Sequence, residues 1–150
     1  MIFPSFRSKI VNLVQLGVMG CLEVCAYMVV LPIIVVLLRC VGFRRTTKLL
    51  SDMAPQIPVS RPPVTNNELA WITVRSERIR ISGAYGPVKA VCLPKSIFLW
   101  FFLCWAGVPS EVRIGVDKVG SVFYPHAWLE IDGVVINDKL ESVSEFVVIS

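Results

Sequence analysis

The run Cys92-Leu-Pro-Lys-Ser-Ile-Phe-Leu-Trp-Phe-Phe-Leu-Cys-Trp-Ala-Gly107 decides the fold. Pro94 fits a first helical turn, where its missing N–H is not needed. Gly107 stands where a left-handed C-terminal cap is wanted, and Pro109 follows just beyond. These two punctuation marks predict a helix from about Leu93 to Ala106. Its body, Ile97 to Trp105, is apolar nearly all round. A helix of that kind belongs in the centre of a domain, covered on every side.

Towards the C-terminus the periodicity changes. Val112–Val116, Val122–Ile131 and Val134–Asp138 read as strands, with turns at Gly120 and at Asp132-Gly133. One buried helix followed by an antiparallel meander is an α+β arrangement. Towards the N-terminus, Thr65-x-x-Glu68 fits a capping box and predicts a helix start. Leu69, Ile72 and Ile79 suit a helix, although Ile79-Arg-Ile81 also alternates as a strand does.

Ahead of that box, residues 51–64 are rich in proline, which forbids a regular helix and favours an extended connector. Residues 1–50 form an apolar N-terminal segment and residues 65–150 the main domain. Between Ile10 and Leu38 the only charge is Glu23, and as one helix this run would be about 43 Å long. That length suffices for a bilayer. Asn12, Gln15, Glu23 and Pro32 oppose a plain span. Residues 10–38 therefore read either as a membrane contact, or as a helical hairpin broken near Pro32 and packed on the domain. Arg39, Arg44, Arg45 and Lys48 follow the run, and would hold the rest of the chain on the cytoplasmic side if it inserted.

The 150 residues carry a net charge of +4, too slight and dispersed to argue for nucleic acid. No phosphate-binding glycine loop is present, and no cofactor is implied. The five cysteines, Cys21, Cys25, Cys40, Cys92 and Cys104, are odd in number and lack a secretory cleavage signal. Free thiols and a reducing cytoplasm follow. Cys21 and Cys25 read as core thiols of a helix, because no second pair of metal ligands accompanies them.

Cys92 stands at the mouth of the central helix, where unpaired backbone N–H groups and the helix dipole favour a thiolate. Lys95 adds to the positive field. His126 is the single histidine of the chain, and in the apolar setting Tyr124-Pro-His-Ala-Trp-Leu-Glu130 it needs partners. A third group must orient the imidazole. Glu130, Asp132 and Asp138 are candidates. A three-residue Ile131-Asp132-Gly133 loop opposes His126 to Asp138, whereas a two-residue Asp132-Gly133 loop opposes it to Lys139. Spacing alone leaves both loops open.

Cys92-Leu-Pro-Lys-Ser96, the aromatic helix to Gly107, Val112-Arg-Ile-Gly-Val116, His126-Ala-Trp-Leu-Glu130 and Val135-Ile-Asn-Asp138 together resemble the catalytic domain of lasso-peptide leader peptidases. These belong to the transglutaminase-like branch of the papain-type fold, in which a Cys-bearing central helix packs on an antiparallel sheet. The resemblance covers roughly residues 65–140. It implies a cysteine peptidase with Cys92 as nucleophile, His126 as base and Asp138 as orienting acid, and it favours the three-residue loop. It also implies a precursor-peptide substrate, a separate leader-recognition protein and an ATP-dependent lasso cyclase as partners. Two other functions use the same residues differently. A transglutaminase-type acyltransferase would pass the thioester to an amine, and a non-catalytic membrane-associated adaptor would act through residues 10–38.

Overall fold

The computed structural model describes residues 17–55, 64–88, 91–119, 122–138, 143–144 and 146–149. Among the described residues four helices precede a small sheet: α1 (Gly17–Cys40), α2 (Phe43–Met53), α3 (Asn66–Tyr85) and α4 (Cys92–Trp105). The sheet is antiparallel with strand order β3-β2-β1-β4, from β1 (Glu111–Val119), β2 (Val122–Ile131), β3 (Val134–Val135) and β4 (Val147–Val148). The α+β expectation with an apolar N-terminal helix holds.

The signals at the helix ends act as read. Thr65 caps α3 in a full capping box with Glu68, and Gly107 closes α4 with φ of 69°. The ambiguous Ile79-Arg-Ile81 lies inside α3, where Ile79 and Ile81 are both buried. Tertiary packing decides that residue pair in favour of helix. Residues 51–53 of the proposed connector complete α2, while 56–63 lie outside the described residues, as do 1–16 and Gly120.

The helical hairpin at Pro32 is not found. α1 runs unbroken through Pro32, because its inner face is held by the core on both sides of the proline. Val24, Tyr27, Leu31, Ile34 and Val35 are buried. Tyr27, Leu31 and Ile34 pack with Ile72 and Ile79 of α3, Ile97, Phe98, Leu99 and Leu103 of α4, and Leu129 and Ile131 of β2 in one cluster. Tyr27 meets Phe98 edge-on at 5.0 Å. Glu23, the lone charge, pairs with Arg75 and Arg78 of α3. Burial raises its carboxyl pKa, but the hydrogen bonds and charges of Arg78 and Arg75 outweigh that and hold it below the usual range. α1 is the one described helix long and apolar enough to cross a bilayer. Cys25, expected in the core, is exposed on its outer side, and Cys21 is half-buried.

α4 lies at the centre as anticipated, between α1, α3 and β2. The hairpin after β2 departs from the favoured register. Glu130 pairs with Val135 and Ile131 with Val134, which is the two-residue Asp132-Gly133 loop. Asp132 (φ 51°) and Gly133 (φ 78°) are both left-handed, the turn whose twist matches that of the flanking strands. Aspartate tolerates that conformation better than most residues.

Candidate functional site

Continued as a regular ladder, this register would bring Lys139, not Asp138, opposite His126. The ladder does not continue. β2 presents the backbone groups of Ile131, Leu129 and Ala127 to the same edge, since strand residues alternate. The Ile136 N–H still donates to the Leu129 carbonyl at 3.0 Å. The reciprocal bond is replaced: the Leu129 N–H donates to the side-chain Oδ1 of Asn137 at 2.7 Å. One position further, the Ala127 carbonyl accepts from the Ser96 hydroxyl at 3.1 Å, and Asn137 Nδ2 donates to that same hydroxyl at 2.8 Å. Two side chains thus finish the strand edge that β3 abandons. The chain bends at Asn137 and Asp138, and Asp138 swings onto the side that His126 faces.

His126 Nε2 and Asp138 Oδ2 lie 2.5 Å apart. An ionised carboxylate only accepts hydrogen bonds, so with Asp138 ionised Nε2 is the donor in this contact and Nδ1 is left outside it. Both side chains are about three-quarters buried, at 25% and 28% exposure. Glu130 is occupied elsewhere, accepting from Trp128 Nε1 at 2.7 Å and Arg113 Nε at 3.1 Å. Asp132 stays in its turn. Of the three carboxylates considered, Asp138 alone meets the imidazole.

Cys92 opens α4 as its first residue. Val91 precedes it with no side-chain capping bond, so the first-turn N–H groups are not consumed by a cap. Ser96 lies one turn on, at the i+4 position that shares a helix face with Cys92. Because the Ser96 hydroxyl is tied to Ala127, that face of α4 is turned to the part of β2 that carries His126. Cys92, Lys95, Leu99, His126, Ala127, Asn137 and Asp138 line one cavity of about 190 Å³, together with Ser76, Ile79 and Arg80 of α3. Arg80 also holds Glu77 at 2.7 Å, and its hydrogen bonds keep that carboxyl below its ordinary pKa. Cys104, at the far end of the same helix, is buried, and burial pushes its thiol pKa up. Of the two α4 thiols, only Cys92 opens into the cavity.

Behind the imidazole is an aromatic wall. Trp128 stacks on His126 at 6.2 Å and 22°, and Phe146 lies 5.2 Å from it. Gly115 of β1, directly opposite His126 in the ladder, makes room for this wall. A Cβ there would meet the Trp128 ring at 2.7 Å and the Phe146 Cβ at 2.9 Å. Trp128 is 2% exposed and Trp100 packs against the core, so both are packing residues, neither of which lines the cavity. The positioning roles of Ser96, Asn137 and Gly115 were missed. Ser96 is a hydroxyl on an otherwise apolar helix face, four residues after the cysteine, and that was the available signal. The lining contributed by Ser76 and Arg80 had no local signature.

What the arrangement can do is proton transfer. A thiol at a helix start lines the same cavity as an imidazole whose Nε2 is fixed by a carboxylate, which leaves Nδ1 to serve as a base. A family model described as the transglutaminase-like superfamily matches residues 36–150. No curated protein and no solved structure matches the chain.

Proposed function

The chain belongs to the transglutaminase-like superfamily, usually cysteine-dependent enzymes of peptidase or acyltransferase type, and from that premise we propose that it is a cysteine peptidase removing the leader from a ribosomally made lasso-peptide precursor. The observation that carries the proposal is the 2.5 Å contact of His126 Nε2 with Asp138, on a wall shared with Cys92. The substrate class rests on the resemblance of residues 92–96, 112–116, 126–130 and 135–138 to leader peptidases.

In this mechanism Nδ1 of His126 takes the Cys92 proton, and the thiolate attacks the scissile carbonyl. The oxyanion receives the backbone N–H of Cys92 at the helix start. The C–N bond breaks, and the core-peptide amine leaves with the proton from His126. Water then gives a proton to His126 and its oxygen to the thioester, so the leader departs as a carboxylate and the thiol is restored. Asp138 stabilises the imidazolium and holds its tautomer. A separate leader-recognition protein and an ATP-dependent cyclase act on the same precursor before and after cleavage.

The test is mass spectrometry of the precursor incubated with this protein and the recognition protein. Two fragments joined at one bond are expected, and none with Cys92→Ala at an unchanged melting temperature. Fragments persisting with that variant would overturn the proposal. An added primary amine captured in the product, with little free acid, would instead identify an acyltransferase.

A further inference from the structure

The two faces of α1 have opposite fates. The inner face is core. On the outer face Val18, Leu22, Val29, Ile33 and Val36 are 80%, 60%, 66%, 54% and 58% exposed, with exposed Cys25 between them. Steps of three and four residues put all six on one line along the helix. From Val18 to Val36 that line is about 27 Å long. A continuous apolar strip of this size marks a surface with an occupant.

Charge identifies the occupant. Arg39, Arg44, Arg45 and Lys48 are all exposed just beyond the end of the strip. No acidic residue occurs between Glu23 and Asp52. Leu49 and Met53, exposed on α2, follow these cations in sequence. Apolar side chains with cations close beside them match the surface of an anionic bilayer, where acyl chains adjoin phosphates.

We propose that α1 lies in the plane of an anionic membrane surface, with its outer strip in the acyl boundary and Arg39, Arg44, Arg45 and Lys48 at the phosphates. The helix is long enough to span, but spanning would strip Leu31 and Ile34 from the core and leave Arg75 and Arg78 without Glu23. The inner face therefore fixes the helix to the domain, and only the outer face is offered to lipid. The inference does not depend on the catalytic reading.

The test is flotation of the full chain with phosphatidylcholine vesicles and with mixed phosphatidylcholine–phosphatidylglycerol vesicles. Binding to the mixed vesicles should be at least about ten-fold tighter, and alkaline carbonate should release it. Val29→Glu with Ile33→Glu should abolish binding. Arg44→Gln with Arg45→Gln and Lys48→Gln should weaken it by at least about ten-fold, both at an unchanged melting temperature. Equal binding to neutral vesicles, or full binding by either variant, would overturn the proposal. So would resistance to carbonate, which marks a spanning helix, or a dimer in solution that Val29→Glu and Ile33→Glu dissociate, which gives the strip to a second copy.

Discussion

Replacing Asn137 by alanine should leave the protein folded and switch the site off. Two side-chain hydrogen bonds disappear, from the Leu129 N–H at 2.7 Å and to Ser96 Oγ at 2.8 Å, each worth about 1 kcal/mol net. With the amide gone, the Leu129 N–H is free to pair with the Ile136 carbonyl, and the ladder continues in its two-residue-loop register. The net cost is then about 1–2 kcal/mol, a fall of roughly 2–8 °C in melting temperature. In that register Asp138 turns to the face opposite His126. Turnover should therefore drop by about 10²–10⁴-fold, as much as in Asp138→Ala. Because the chain holds a single histidine, nitrogen NMR reads its tautomer without assignment, and the Nε2–H form should lose its dominance. Thermal unfolding, precursor cleavage and that spectrum together test the reasoning. If the strand fails to re-pair, the buried Leu129 N–H adds about 1–3 kcal/mol, and a fall in melting temperature larger than about 8 °C marks that case. That outcome, or wild-type turnover with an unchanged tautomer, would refute the argument.

Gly115→Ala should cost about 1–3 kcal/mol by overpacking against Trp128 and Phe146. It should also lower turnover by displacing the ring stacked on His126, checked by denaturant melts and cleavage rates. Glu23→Gln should destabilise the protein at neutral pH but not in acid. Its carboxyl lies below the ordinary value of 4.5 when folded, so its contribution is complete above that value and lost as pH falls through the lower folded one. Melts of both proteins from pH 7 to pH 3 should converge at the acid end, and a constant gap would count against the Arg75–Glu23–Arg78 linkage.

The reading of the sequence reached the helix limits because they depend on local chemistry: a threonine three residues before a glutamate, a glycine after the last apolar turn. The central place of α4 followed from apolarity on all sides. The pairing of His126 with Asp138 was anticipated through the wrong hairpin. Parity along a strand is what a spacing argument can use, and by parity only a three-residue loop, the one the resemblance favoured, sets Asp138 opposite His126. It cannot register a side-chain amide that takes over a backbone acceptor and ends the ladder, as Asn137 does. Pro32 misled in the same manner. Its local cost to a helix is real, but core contacts on both sides of it keep α1 in one piece. β4 was missed altogether, since two residues, Val147 and Val148, carry no periodicity.

The pairing of Glu23 across to α3 bears on how the protein can be trimmed. The family match starts at residue 36, within α1, yet Val24, Tyr27, Leu31 and Ile34 come earlier and are buried. A shortened version starting at the match would open its own interior to water and orphan two guanidinium groups. The stretch that the family model matches is shorter than the stretch that must fold together, and any clone for expression has to respect the longer one.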